Sequence, residues 1–73
     1  MTENDLSREL KERYEGAPER EASTAVHLFG IDFFQELQGQ NIGAICEAAG
    51  LTRSWGTEVR KGMRLARYVV RQT

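Results

Sequence analysis

Apolar residues recur at helical spacing along most of this chain and divide it into four segments. Leu6, Leu10 and Tyr14 stand at i, i+4 and i+8 in an otherwise charged stretch, a narrow stripe that predicts a helix over residues 3–14. Thr2, followed three residues later by Asp5, supplies a hydroxyl at the cap and a carboxylate that can reach back to it. Glu15, Gly16 and Ala17 interrupt the pattern. Ala22, Val26, Phe29, Phe33 and Leu37 then fall at i, i+4, i+7, i+11 and i+15, which puts all five on one face of a second helix over residues 18–38. Pro18 suits its first position, where the missing N–H costs nothing, and Glu19 and Glu21 suit the positive end of its dipole.

Gly30 lies inside this second segment, and a glycine weakens a helix interior by roughly 1 kcal/mol relative to alanine. A split at Gly30 with Asp32 as a cap is the competing reading. The apolar phase crosses the glycine without a shift, which favours one helix. Phe29, Phe33, Phe34 and Leu37 are the heaviest apolar group in the chain and are the expected core.

A polar turn over residues 38–41 ends in Asn41, a good cap for a third helix over residues 42–49, whose apolar face is Ile42, Ile45, Cys46 and Ala49. Gly50 stands where a helix end takes a left-handed residue. Leu51 can tuck back onto the core, and Thr52 can cap a fourth helix over residues 53–71. Gly56 and Gly62 fall within that helix, each a place for close approach of a neighbour or for a kink, and a later start at Thr57 is an alternative. Trp55, Val59, Met63, Ala66 and Val70 share one arc of it; Arg53, Arg60, Arg64, Arg67 and Arg71 share another, with Lys61 beside them. No alternating β-branched run reads as a strand. The pattern therefore predicts an all-α, four-helix small domain spanning residues 1–73.

Residues 42–63 resemble a helix-turn-helix of the DNA-binding kind. Counted from Ile42, that motif takes a small residue fifth, glycine ninth, and apolar residues fourth, eighth, tenth, fifteenth and eighteenth. Here those positions hold Cys46, Gly50, Ile45, Ala49, Leu51, Gly56 and Val59, so only Gly56 departs from the pattern. The wider string from His27 to Val69 resembles small bacterial domains of helix-turn-helix-like type. The resemblance implies that Thr52, Arg53, Ser54, Thr57 and Lys61 occupy outward positions within reach of base edges in a major groove. Glu58 also faces outward in this reading, where it would repel phosphates, accept from cytosine or lie at the rim.

Charge sharpens the picture. The formal net charge of the 73 residues is −1, which on its own argues against a nucleic-acid partner. Its distribution is uneven. Residues 1–49 hold four basic residues against ten acidic ones, a net −6, and residues 50–73 hold six against the single Glu58, a net +5. Such asymmetry fits a polyanion-binding end and a solubilising end, or two halves that neutralise each other within the fold. Five of the six bases in the second half are arginines, which favours bidentate contacts to phosphate or carboxylate.

The remaining candidates are modest. Cys46 is the only cysteine and sits on an apolar helical face, which reads as a buried small residue in a reducing compartment. His27 is the only histidine and reads as structural, because a metal site needs three or four convergent ligands. Asp32 and Glu36 read as surface charges, and Trp55 as a core anchor. No grouping meets the geometric requirements of a catalytic centre, and no cofactor, metal or small-molecule substrate is expected. No apolar run is long enough to span a bilayer, so a cytoplasmic location is the expectation. Leu65, Tyr68 and Val69 exceed what one core needs; either the first helix covers them or they form a homodimer surface. The leading expectation is duplex DNA binding through Thr52, Arg53, Ser54, Thr57, Arg60, Lys61, Arg64 and Arg67, by a small transcriptional regulator or accessory subunit. The alternative is a protein-interaction module whose basic helix binds an acidic partner.

Overall fold

The computed structural model describes residues 1–69 and is all-α. Five α-helices follow one another: α1 (Glu3–Gly16), α2 (Ala22–Asp32), α3 (Phe34–Leu37), α4 (Ile42–Ala48) and α5 (Gly56–Leu65), with a 3₁₀ turn at Arg53–Trp55 leading into α5. The first helix begins as its sequence dictates. The Asp5 N–H donates to Thr2 Oγ1 at 3.1 Å, and the Thr2 N–H donates to Asp5 Oδ2 at 3.0 Å, so two donors at the helix start are satisfied reciprocally. These bonds to Thr2, backbone first, hold the Asp5 carboxyl below its usual range.

The second segment departs from the expected single helix over residues 18–38 at its start and in its interior. Pro18 is not the first helical residue: the Glu21 N–H bonds to the Pro18 carbonyl at 3.0 Å, closing a turn in which Arg20 takes a left-handed φ of 69°. That conformation cannot continue a right-handed helix, so α2 starts at Ala22. The helix then breaks at Phe33 (φ −109°, ψ 24°), rather than at Gly30, and Phe33, not Asp32, stands at the cap position of α3. The apolar phase nevertheless survives, because the Phe33 N–H still reaches the Phe29 carbonyl at 3.0 Å and the Leu37 N–H reaches that of Phe33 at 2.9 Å. Phe29 and Leu37 are fully buried, as expected. Phe33 is only partly buried, its ring tilted against Phe29 and lying under the Arg13 guanidinium, and Phe34 is half-buried at the edge of a groove. Asp32 is not a free surface charge: Arg13 of α1 binds it at 2.6 Å.

The core is built from all five helices. Leu6 and Leu10 of α1, Val26 and Phe29 of α2, Leu37 of α3, Ile42, Ile45 and Cys46 of α4, Ala49 at the end of α4, and Val59 of α5 form one buried cluster. Tyr14 of α1 meets Trp55 edge-on, ring centroids 5.2 Å apart, which ties the turn before α5 to the first helix.

The most extensive helix–helix contact is between α2 and α5, and its centre is a pair of glycines. A Cβ on Gly62 would run into the His27 carbonyl oxygen and stand 3.0 Å from the Gly30 Cα. A Cβ on Gly30 would meet the Val59 carbonyl oxygen and, at 2.9 Å, the Met63 backbone nitrogen. The obstacles are backbone atoms, so they cannot swing aside.

Two outcomes are expected in urea denaturation followed by the fluorescence of the sole tryptophan, Trp55. Phe29→Ala should cost about 3–5 kcal/mol, the range for truncating a buried phenylalanine, and Phe33→Ala distinctly less because its ring is partly exposed. Gly62→Ala should destabilise by about 1–3 kcal/mol or more, as overpacking does, despite the better helix propensity of alanine. An unchanged midpoint for Gly62→Ala would show that the two helices do not cross at this pair.

Candidate nucleic-acid interface

The connection from α4 to α5 forms the turn that the sequence announces. Asn41 Oδ1 accepts the Ala44 N–H at 3.1 Å at the start of α4. At its end, the Leu51 N–H bonds to the Cys46 carbonyl at 2.9 Å and the Gly50 N–H to that of Glu47 at 3.0 Å, with Gly50 at φ 86°. This is the paired-bond ending in which a left-handed residue lets the chain reverse while the last carbonyls stay satisfied. Leu51 packs against the core, as expected. Thr52 does not cap the next helix. Its Oγ1 lies 2.6 Å from Ser54 Oγ, because the chain winds at once into a tight turn closed by the Trp55 N–H on the Thr52 carbonyl at 3.2 Å.

The α-helical part of the expected fourth helix is short. It begins at Gly56 and ends at Leu65, and the chain then tightens into a turn in which the Tyr68 N–H bonds to the Leu65 carbonyl at 2.9 Å. Beyond Leu65 the apolar face has no partner among the described residues, and a helix of this length depends on tertiary packing rather than propensity. Arg67 therefore lies in the turn. Val70 and Arg71, expected on the same helix, lie outside the described residues. Gly56, the departure from the motif, is buried. The space an apolar side chain would take is bordered by the Ile42 Cγ2 methyl and the Arg60 guanidinium, at 3.5 and 3.1 Å from where a Cβ would stand.

The eight candidate residues are all exposed, on the turn before α5, on its outer side and, for Arg67, in the turn after it, yet their chemical states differ. Arg53 is engaged: it binds Glu47 of α4 at 2.7 Å and lies so close to Gly43 that a Cβ there would stand 2.6 Å from its Nη2. Lys61 binds Glu58 at 3.3 Å. Arg60, Arg64 and Arg67 have no carboxylate partner among the described residues. Thr52, Ser54 and Thr57 cluster at the start of α5. The sequence reading missed that Arg53 is committed to Glu47, although the opposite charges six residues apart across a turn were the available signal.

Glu58 does not point outward as expected. Its side chain, 24% exposed, turns onto α2, where Oε1 accepts from His27 Nε2 at 2.9 Å while Oε2 faces Lys61. The ionised carboxylate can only accept, so Nε2 carries the proton. These bonds, His27 first and Lys61 second, hold the Glu58 carboxyl below its usual value of 4.5. The lone acidic residue of the basic half is thereby turned towards α2, with one carboxylate oxygen still on Lys61. Cys46, fully buried, has its thiol pushed above its usual 9.0 by burial, partly opposed by Arg60 and Arg53.

With this arrangement of α4, turn and α5, a family model described as an HTH-like domain matches residues 2–72. The chain belongs to this family of HTH-like domains. No curated protein and no solved structure matches it. Among the described residues, no helix of this HTH-like domain is long and apolar enough to cross a membrane.

The carboxyl groups give a pH dependence of definite sign. Glu58 is depressed in the folded HTH-like domain, so its contribution to stability is present above the unfolded value near 4.5 and is lost as pH falls through the lower folded value. Thermal melts of the parent should therefore fall in temperature below about pH 4.5, and Glu58→Gln should melt lower at neutral pH with a flatter dependence across that acid range. The pair is partly exposed, so added salt should narrow the difference. Identical acid slopes for parent and variant would show that the His27 contact contributes nothing.

Proposed function

We propose that this chain is a binding module that docks on duplex DNA with α5 and the turn before it, as a small transcriptional regulator or an accessory subunit. The observation that carries the reading is the trio Arg60 and Arg64 on the second helix of a helix-turn-helix and Arg67 in the turn that follows it, all exposed and without carboxylate partners among the described residues. Such guanidinium groups are suited to phosphate oxygens, and Thr52, Ser54 and Thr57 at the start of the helix are suited to base edges. Arg53 and Lys61 join the interface by exchanging Glu47 and Glu58 for phosphate.

Operator-binding helix-turn-helix proteins commonly act as dimers. Leu65, Tyr68 and Val69 are 43%, 80% and 44% exposed, so α1 does not cover them. Leu65 and Tyr68, with His27, Lys61 and Arg64, border a groove of about 390 Å³. In this reading a second copy covers that patch.

A salt titration of duplex binding tests the DNA contact. If the three free arginines each neutralise one phosphate, log K should fall with log salt at a slope of about −2.7. Arg64→Ala should weaken binding to every sequence alike and flatten the slope by about one unit. Thr57→Ala should instead change sequence preference, at a cost of about 1–3 kcal/mol on the favoured site. A folded protein that binds no duplex at about 50 mM salt sinks the proposal. For the dimer, sedimentation should detect self-association at micromolar concentration that Tyr68→Glu abolishes without unfolding the chain; a monomer at every concentration would remove the second copy.

A further inference from the structure

The arginine trio also borders a second kind of surface. Phe34 and Gln38, from the α3 region, face Met63 of α5 across a groove of about 400 Å³ whose other walls are Arg60, Arg64 and Arg67. Phe34 belongs to the aromatic run that the sequence assigns to the core, yet it remains half-buried at the groove, beside a partly buried Met63. A phosphodiester backbone has no use for an apolar floor. A peptide has: it can seat an aromatic or aliphatic anchor on Phe34 and Met63 and place flanking carboxylates on the guanidinium groups, and arginine with aromatic contacts dominates the energetics of such interfaces. Methionine adapts its shape to different anchors. The charge at the rim selects the occupant further, since three cations without carboxylate partners among the described residues repel a basic segment and attract an acidic one.

The geometry points to a second ligand class at this groove: an acidic segment of a partner protein carrying an apolar anchor, bound between α3 and α5. The inference goes beyond the DNA reading and does not rest on it. Both ligands need the arginines, but only the peptide needs Phe34 and Met63.

The test uses the full chain and a labelled synthetic peptide of about twelve residues, with phenylalanine and leucine four positions apart and aspartate and glutamate elsewhere. Fluorescence anisotropy should show saturable micromolar binding at low salt. Replacing both anchors in the peptide by serine should weaken it at least about tenfold, and Phe34→Gln in the protein should do the same. Duplex affinity, where there is any, should change less than about twofold in Phe34→Gln, whereas Arg64→Ala should weaken both ligands. Because Phe34→Gln can disturb folding, backbone amide shifts of the unsubstituted protein provide an independent readout. The peptide should move Phe34, Gln38 and Met63, and leave Thr52, Ser54 and Thr57 in place. The proposal is overturned if the serine peptide binds as tightly, if shifts appear only around residues 52–57, or if no peptide binds while the protein is folded. It is likewise overturned if the groove amides already shift with protein concentration alone, which would make a second copy the occupant.

Discussion

The close passage of α2 over α5 at Gly30 and Gly62 is the constraint on which the rest of the molecule depends. With a side chain at either position the two backbones could not approach as they do, since the added carbon would meet carbonyl oxygens or Cα atoms. The glycines bury little apolar surface themselves. Stabilisation comes from what the close approach brings together on either side: Val26 and Phe29 of α2 with Val59 of α5, all fully buried, each worth roughly 1.5–3 kcal/mol for a complete side chain. The crossing also sets which side of α5 is outward. Once Val59 and Gly62 face α2, the helical step places Thr57, Arg60, Lys61 and Arg64 towards solvent. The position of the basic face thus follows from two residues that have no side chains.

Much of this was legible in the chain because it is encoded locally. The Thr2–Asp5 capping box, the Asn41 cap and the left-handed Gly50 are each set by a few adjacent residues, and all three stand in the structure. The apolar stripe of the second segment likewise predicted the burial of Val26, Phe29 and Leu37. What was not legible depended on contacts distant in sequence. Periodicity cannot tell a continuous helix from two helices in phase, so the break at Phe33 passed unseen. It also cannot tell a glycine that bends a helix from one that admits a neighbour, and Gly30 proved to be the second kind. The end of α5 at Leu65 was hidden for the same reason: the apolar spacing runs on, but no described element lies beyond to pack against it.

The chemistry of the outer face shows the same division. Arg60, Arg64 and Arg67 are all exposed, Arg67 in the turn beyond α5 rather than on the expected helix, but periodicity could not say which charges of the face are paired. In the fold, Arg53 is drawn back onto α4 by Glu47, and Glu58 is drawn across to α2 by His27. Those pairs are partly exposed, so each contributes little stability on its own. Their larger effect is on which charges are available: Arg53 is occupied, and Glu58 is turned towards α2 while still meeting Lys61.

This rearrangement explains how a chain of net charge −1 can present a face suited to polyanions. The molecule measures 31 × 28 × 20 Å, about two to three Debye lengths at 0.1 M salt. Over such distances the sign of the nearest groups, and not the total, governs an approaching anion. The contacts that join the acidic and basic halves, the Glu47–Arg53 ion pair and the His27–Glu58 hydrogen bond, leave three arginines uncompensated among the described residues. Electrostatics alone therefore draws phosphates and carboxylates to the same place. Discrimination between them must come from what lies between the charges, and there the face is divided: hydroxyls at Thr52, Ser54 and Thr57 on the side of the turn, and the apolar floor of Phe34 and Met63 on the side of α3. A ligand that uses only charge would engage both regions equally, whereas one that hydrogen-bonds along its edges would settle on the first and one with an apolar anchor on the second.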